Sequence, residues 1–358
     1  MLTRSTDALV SLLVALVSLA GCTGNGSPAL VVPSGASVPA LRPTGPAMRP
    51  AAPAGGATFY VNGVSGNDKN DCKSPQTACK TIEHAVRISA SGDTIEVAAA
   101  VYPENVTIHH SVRIHGAGAN KTIVDGQRHG SEFLIAFNPI DVTITGMTMR
   151  NGSGSGDGGA VYHCNGTLML EHVVIEENRV LDKGLNGYDG MMYNCPGSTA
   201  TITESTIRKN TAEVGGAICN GGLLTIIRST FSDNTALETR GGGAIFNYGV
   251  LHVANSTFAN NAASGGVGGA IHDGELVGLT GGAQIDNTTI SRNSAALGET
   301  PGGGIYNNVG LPVYLQNTIM ADNDPQNCSG RLQTEGFNLS SDRSCALHGA
   351  GDLNGVDP

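Results

Sequence analysis

Residues 215–261 read GGAICNGGLLTIIRSTFSDNTALETRGGGAIFNYGVLHVANSTFANN and contain the same pattern twice. Each copy begins with Gly-Ala-Ile and continues to two apolar residues separated by one position. The second apolar residue precedes a phenylalanine by five positions (Ile226 to Phe231, Val253 to Phe258), and an asparagine follows three positions later. The segments between these blocks differ in length. Fixed blocks joined by variable segments are typical of the rigid strands and tolerant loops of a solenoid.

The same blocks recur on both sides of this stretch. Gly-Ala-apolar elements also begin at Gly159 and Gly269, and looser copies begin at Gly190 and Gly303. The asparagines that end the third block are Asn178, Asn210, Asn234, Asn261 and Asn293. In coils stacked about 4.8 Å apart, these equivalent residues would lie one above another and form a hydrogen-bonded ladder at a bend. We therefore assign these asparagines a structural role rather than a catalytic or binding one.

The repeats predict an all-β fold over residues 57–358. Alternate apolar positions predict an inward face on each strand, and the blocks predict three strands in each coil of a single-stranded right-handed parallel β-helix. Residues 80–87 (KTIEHAVR) are predicted to form a short amphipathic helix. We expect this helix to cap the apolar end of the solenoid, which otherwise exposes its core and unpaired backbone.

The first 56 residues carry a targeting signal. Residues 8–20 form an apolar run that is short for a membrane span and typical of a signal-peptide core. The run ends in Leu19-Ala20-Gly21-Cys22, which resembles a bacterial lipobox. Residues 1–21 are therefore predicted to be a lipoprotein signal peptide, with Cys22 as the acylated residue. The alternative is an ordinary signal peptide in which Cys22 is incidental.

Residues 22–56 are rich in proline, glycine and alanine, and this composition predicts an extended tether. Together the two segments predict an exported protein that is lipid-anchored to the bacterial cell membrane or outer membrane and faces outward.

Composition narrows the expected partners. The 358-residue chain has a formal charge of -10, and its 20 lysines and arginines form no basic run. This charge excludes nucleic acid as an expected partner. The 51 glycines and the absence of tryptophan suit many tight turns around a narrow aliphatic core. We expect a monomer.

Several motifs resemble those of bacterial right-handed β-helix repeat proteins of the pectin-lyase-like superfamily. They are Tyr60-Val61-Asn62-Gly63, Cys79-Lys80-Thr81-Ile82, Gly92-Asp93-Thr94-Ile95, and the closing segments 336–341 and 352–358. The Gly-Gly-Ala-Ile…Ser-Thr-Phe…Asn units resemble the repeats of chlamydial polymorphic outer-membrane proteins. This resemblance implies the fold but no activity, because the superfamily contains lyases, hydrolases, esterases and non-enzymatic surface proteins. Relatives often continue past Asp357-Pro358, which leaves open whether the C-terminus is complete.

Seven cysteines remain if Cys22 is acylated, and an exported protein favours disulfides. The repeat places Cys164 and Cys195 at the same position of consecutive coils, within disulfide distance. The other predicted pairs are Cys72 with Cys79 and Cys328 with Cys345. Cys219 aligns with the neighbouring slot of Tyr162, Tyr193 and Phe246 and is expected to stay outside the disulfides. No cysteine or histidine spacing indicates a zinc site.

Candidate catalytic residues lie in the variable loops before the Gly-Gly-Ala elements, because a glycosidase needs two carboxylates and a polysaccharide lyase needs a base such as arginine. They are Asp157, Asp182, Asp189, Glu213, Glu238, Arg240 and Glu299. Calcium in these acidic loops is conceivable, but no calcium motif is present, so we predict no cofactor. The segment Tyr102-x-Glu104-x-Val106 resembles the opening strand of pectin methylesterases, but the downstream aspartates and arginine of that family have no recognisable match.

The sequence thus favours a surface-displayed protein with a structural or ligand-binding role. Its ligand would be a glycan or a surface protein, as for an adhesin, because a solenoid presents a long face bordered by variable loops. The alternative is a secreted polysaccharide lyase or glycoside hydrolase that acts on an extended polysaccharide.

Overall fold

The computed structural model describes residues 56–136, 138–154, 158–181, 190–276, 279–296, 298, 301–308 and 311–358. The predicted signal peptide, Cys22 and nearly all of the predicted tether lie outside these residues. Within them, no helix is long and apolar enough to cross a membrane.

The described chain winds through three long parallel sheets, which we name A, B and C. Sheet A contains Thr58–Val61, Asp93–Val97, Val112–Gly116, Ile140–Thr145, Gly166–Glu171, Thr199–Thr203, Leu223–Ile227, Val250–Ala254, Gly282–Asp286, Val313–Gln316 and Leu332–Gly336. Sheet B contains Ala100–Tyr102, Thr122–Asp125, Thr148–Arg150, Val174–Glu176, Thr206–Arg208, Thr230–Ser232, Thr257–Ala259, Thr289–Ser291, Ile319–Ala321, Leu339–Ser340 and Leu353–Asn354. Sheet C contains Val106–Thr107, Phe133–Ile135, Val161–His163, Met192–Asn194, Ile218–Asn220, Ile245–Asn247, Ile271–Asp273, Ile305–Asn307 and Cys328–Gly330.

Each coil runs from sheet A to sheet B to sheet C, so the predicted right-handed parallel β-helix is confirmed. A fourth, short sheet lies between sheets B and C and contains Thr211–Ala212, Thr235–Ala236, Ala262–Ala263 and Ser294–Ala295. An antiparallel pair of short strands, Glu275–Leu276 with Leu279–Thr280, follows one strand of sheet C. The eleven strands of sheet A make a ribbon about 48 Å long at the usual strand spacing.

The core is a stack of inward-facing apolar columns. Ile202, Ile226, Val253 and Ile285 occupy equivalent positions of sheet A, and each is at most 1% exposed. In sheet B, the rings of Phe231 and Phe258 stack with their centroids 4.8 Å apart. Burying such a side chain contributes about 1.5–3 kcal/mol. The period-two pattern read from the sequence therefore places these residues in the interior.

Among the residues that the structure describes, the one α-helix is α1 (Ile82–Ile88), which covers the N-terminal end of this core, and a 3₁₀ turn (Pro75–Thr77) precedes it. The Thr81 side chain accepts a hydrogen bond from the His84 N–H and so caps the helix. Ile82, Ala85 and Val86 form its buried face. The observed helix begins two residues after the predicted segment, because Thr81 serves as the N-cap.

The five asparagines of the repeat form one buried hydrogen-bonded column. Each amide donates from Nδ2 to the Oδ1 of the asparagine in the next coil, at 2.9–3.0 Å. The column continues through Asn323 and Asn327, at 2.9 and 2.8 Å. The backbone N–H of each asparagine donates to the same acceptor, which ties every coil to the next at this bend.

Three disulfides join the cysteine pairs that the sequence suggested. The Cα–Cα distances are 5.0 Å for Cys72–Cys79, 4.9 Å for Cys164–Cys195 and 4.8 Å for Cys328–Cys345. Cys219 is fully buried and takes part in none of these three bridges.

Candidate functional site

The structure describes only some of the candidate loop residues that the sequence suggested. Asp157, Asp182, Asp189 and Glu299 lie outside the described residues. Glu213 is only 6% exposed, and its carbonyl oxygen accepts the N–H groups of Leu237 and Glu238 at 3.2 and 2.8 Å. Glu213 and Glu238 therefore belong to loops of consecutive coils that stack through their backbones.

Arg240 continues this loop and lies beside a row of aromatic side chains on the outer face of sheet C. Its carbonyl oxygen accepts a hydrogen bond from His272 Nδ1. The His272 ring lies 5.1 Å from Phe246 and 5.2 Å from Tyr306, between centroids. Burial lowers the pKa of His272, so the ring is neutral at pH 7. These contacts indicate a packing role for the loop backbone at Arg240.

Glu104, in the segment that resembles the opening strand of pectin methylesterases, also has a structural role. Glu104 Oε1 and Oε2 accept the backbone N–H groups of Ile82 and Glu83, both at 2.9 Å. These are orphan donors at the start of α1. Burial raises the pKa of Glu104, although the two amide donors favour its charged form. Glu104 thus ties α1 to the first coils.

An open cleft of about 260 Å³ lies on the outer face of sheet A. Its lining residues are Tyr60, Val61, Asn62, Pro75, Ala78, Glu96, Val97, Ala98, His115, Gly116 and Ala117. Tyr60 pairs with Glu96 on the next strand, and Glu96 pairs with His115 on the third. The parallel register therefore puts a phenol, a carboxylate and an imidazole in one outward column. We call this feature the sheet A cleft.

Two polar side chains of the sheet A cleft, Glu96 and His115, are accessible and contact each other. His115 Nδ1 lies 3.1 Å from Glu96 Oε1, and the two side chains are 32% and 45% exposed. A wall of the cleft comes from the loop closed by the Cys72–Cys79 disulfide, which contributes Pro75 and Ala78. This wall is fixed to the Tyr60 strand, because Tyr60 N–H donates to the Cys72 carbonyl at 2.7 Å and Cys79 N–H donates to the Tyr60 carbonyl at 2.8 Å.

This set of groups suits recognition of a polar ring. Tyrosine offers an aromatic face, and the Glu96–His115 pair offers acceptors and donors for hydroxyl groups. A glycosidase places two carboxyl groups about 5–9.5 Å apart across the scissile bond. Among the described residues that line the cleft, Glu96 is the one carboxylate, and none is lysine or arginine.

No described cluster suits a metal ion. Cys72, Cys79 and His84 hold possible ligand atoms within 4.8 Å of one another. The two sulfur atoms are joined in a disulfide, however, and it is the thiolate that binds metals. The calcium considered from the acidic loops stays untested.

One family model matches part of the repeat region. A model of the Chlamydia polymorphic membrane protein repeat matches residues 228–248, which confirms the predicted resemblance of this repeat. No curated protein matches the sequence significantly.

Several solved structures align with this chain at low identity. Pectin methylesterase PemA from Erwinia chrysanthemi is 13% identical with a TM-score of 0.47, covering 78% of this chain and 93% of that one. Pectate lyase Pel9A is 14% identical with a TM-score of 0.46, covering 84% and 78%. XylC, solved as a complex with xylose, is 10% identical with a TM-score of 0.42, covering 79% and 68%. With TM-scores below 0.5, these likenesses imply nothing about the activity of this chain.

Proposed function

We propose that this chain is an exported, lipid-anchored β-helix protein that binds a carbohydrate ligand in the sheet A cleft. The observation that carries the proposal is the column Tyr60–Glu96–His115, which joins an aromatic face to accessible hydrogen-bonding groups. The volume of about 260 Å³ lies just below the range of about 300–1,000 Å³ typical of drug-sized ligands, so the cleft holds a small, ring-sized unit of a longer chain.

A polysaccharide-cleaving enzyme is the second candidate. The observation in its favour is the Glu96–His115 contact at 3.1 Å, because a carboxylate that orients an imidazole is a common acid–base arrangement. Against it stands the single carboxylate among the described lining residues, since hydrolysis of a glycosidic bond requires two in most glycosidases.

The test is ligand binding to the full chain, measured by calorimetry against neutral and uronic-acid oligosaccharides. We expect Tyr60→Ala and Glu96→Gln each to weaken binding about tenfold, which corresponds to about 1.4 kcal/mol. Tyr314→Ala is the matched control, because Tyr314 is a half-buried tyrosine on the tenth strand of the same sheet. Equal loss of affinity in Tyr60→Ala and Tyr314→Ala would place the ligand elsewhere.

The same preparations separate binding from cleavage. New reducing ends or unsaturated uronates that appear with the parent chain and vanish in Glu96→Gln would favour the enzyme. Binding without product, in a protein shown to be folded, would favour the carbohydrate-binding role.

A further inference from the structure

A second polar ladder runs through the last residues of the sheet C strands. Its members are His163, Asn194, Asn220, Asn247, Asp273 and Asn307, and each is at most 1% exposed. His163 Nδ1 contacts Asn194 Oδ1 at 2.9 Å. Asn194 Nδ2 donates to Asn220 Oδ1 at 2.8 Å, and Asn220 Nδ2 donates to Asn247 Oδ1 at 2.7 Å. Every such bond runs from one coil to the next in the same direction.

The pattern changes at Asp273, the carboxylate in this row of amides. Asp273 Oδ1 accepts from Asn247 Nδ2 at 2.5 Å, as an asparagine in this position would. The other oxygen, Oδ2, takes the place of the amide nitrogen that would donate to the next rung. It is buried, and the described residues give it no hydrogen-bond partner.

The next residue of the ladder, Asn307, also has an acceptor oxygen for which the described residues provide no donor. Asn307 pairs with Asp273 in the register of sheet C. Asn307 Nδ2 donates away from Asp273, to the Leu311 and Arg331 carbonyls at 3.1 and 2.8 Å. Its Oδ1 is buried and has no hydrogen-bond donor within the part of the chain that the structure describes. Two consecutive rungs therefore each hold a buried acceptor oxygen that receives no hydrogen bond from the described residues.

The surroundings of Asp273 contain amides and backbone. On its own sheet the facing side chains are the amides of Asn247 and Asn307, and Gly281, at the end of the inserted hairpin, lies against Oδ1. The neighbouring imidazole of His272 lies on the opposite face of the strand, against the Arg240 carbonyl. Burial raises the pKa of Asp273 to about 7, against the opposing effect of the Asn247 hydrogen bond.

We propose that Asp273 binds a proton on Oδ2 and donates it to Asn307 Oδ1, which completes the ladder and makes this rung a pH-sensitive site at the base of the hairpin Glu275–Leu276 and Leu279–Thr280. The proton supplies the hydrogen that an asparagine would contribute. When it leaves, a buried negative charge faces the Asn307 oxygen, and the contact between these two coils and the hairpin base weakens.

The sign of the pH effect follows from linkage. The folded chain holds the Asp273 proton up to about pH 7, whereas an ordinary aspartate loses it near its usual value of 3.8. The folded state therefore binds more protons between these values, so this contribution to stability is complete below pH 3.8 and is lost as the pH rises towards 7 and beyond. The equilibrium constant for unfolding rises by up to about tenfold per pH unit in that window.

The experiment compares the full chain with Asp273→Asn by chemical unfolding from pH 5 to pH 8. The substitution places a regular amide rung in the ladder that cannot ionise, so we expect the unfolding equilibrium constants of the two proteins to diverge with pH, by up to about tenfold per pH unit between pH 5 and pH 7 in favour of Asp273→Asn, and to keep a constant ratio above pH 7. Comparing the two proteins at each pH cancels the contribution of other buried carboxyls, such as Glu132. Asp233→Asn, at an exposed bend, is the matched control and should reproduce the parent profile.

Two readouts can overturn the proposal. The carboxyl carbon of Asp273 should titrate near pH 7 by NMR, and a midpoint near 4 contradicts the proton. If a metal ion rather than a proton bridges the two oxygens, a chelator destabilises the parent at pH 8 and Asp273→Asn is the less stable protein. The proposal predicts neither effect.

Discussion

Asn234 shows how much a single polar side chain can do inside this solenoid. Its Nδ2 donates to Asn261 Oδ1 at 2.9 Å and to the Ile207 carbonyl at 3.0 Å. Its Oδ1 accepts from both the amide and the backbone N–H of Asn210, at 2.9 and 3.2 Å. The residue is fully buried, so all four bonds form away from solvent. The recurrence of asparagine at this position of the repeat therefore reflects its role in coil stacking rather than a catalytic or binding role.

Asn234→Ala should destabilise the fold strongly. The substitution removes the acceptor of the Asn210 backbone N–H and of one Asn210 Nδ2 hydrogen, and each buried polar group left unpaired costs about 1–3 kcal/mol. We expect the free energy of unfolding to fall by about 2–5 kcal/mol in denaturant titrations. Ser232→Ala, a half-buried position on the neighbouring strand, serves as the control and should change it by less than about 0.5 kcal/mol. Similar values for both variants would show that the ladder contributes little.

At the scale of single elements, α1 depends on residues that are distant in sequence. Glu104 lies 22 positions after Ile82 but accepts its N–H. Glu83 Oε2 accepts the Thr107 N–H at 2.8 Å, which joins the helix to the first strand of sheet C. Two carboxylates therefore hold α1 in place. Glu104 accepts backbone N–H groups of α1, and Glu83 of α1 accepts the backbone N–H of Thr107 in sheet C.

Glu104→Ala should loosen α1 before it affects the rest of the chain. Two backbone donors at the helix start lose their acceptor, so we expect a loss of about 1–3 kcal/mol. Hydrogen exchange should show faster exchange of the amides of residues 82–88. Glu104→Gln keeps one acceptor oxygen and should lose less stability. Glu335→Ala, at an exposed glutamate on the last strand of sheet A, is the control and should leave the exchange of residues 82–88 unchanged. Unchanged exchange in Glu104→Ala would contradict the capping role.

The elements that the sequence predicted well are those whose spacing is fixed. Ile226 and Phe231 recur at constant separation because both lie in strands whose lengths are set by the coil. The second ladder was missed, although Ile218-x-Asn220 and Ile245-x-Asn247 contain its signal. By period-two alternation these asparagines share the face of the preceding isoleucine, but the alignment into a hydrogen-bonded column becomes evident only from the sheet C register.

The sheet A cleft could not be predicted for a related reason. Tyr60 and Glu96 are 36 positions apart, whereas Glu96 and His115 are 19 positions apart. The first interval contains the disulfide loop and α1, so the N-terminal coils share no constant period. Three residues in one outward column can then be recognised only from the pairing of the strands. The loop candidates Glu213, Glu238 and Arg240 were easier to single out because they precede a visible motif, but their position next to glycines reflects the path of the backbone.

Because the strands stack in parallel, the stability of the whole molecule depends mainly on contacts between neighbouring coils. Each strand of sheets A, B and C pairs only with the strands one coil before and after it. In such an architecture, the stability is close to a sum of coil terms and interface terms between adjacent coils. A defect in the middle should therefore be felt most by the coils that touch it, and less by the α1 end.

Phe258→Ala tests this view of the molecule. Phe258 is fully buried and stacks on Phe231, so its truncation opens a cavity between two coils and should cost about 3–5 kcal/mol. Hydrogen exchange should increase most in sheet B residues 230–232 and 289–291, which belong to the coils on either side, while residues 82–88 keep their protection. Thr257→Ala, at the half-buried adjacent position, is the control. A uniform increase along the chain, α1 included, would show instead that the solenoid opens as one cooperative unit, because a local defect would then be shared by every coil.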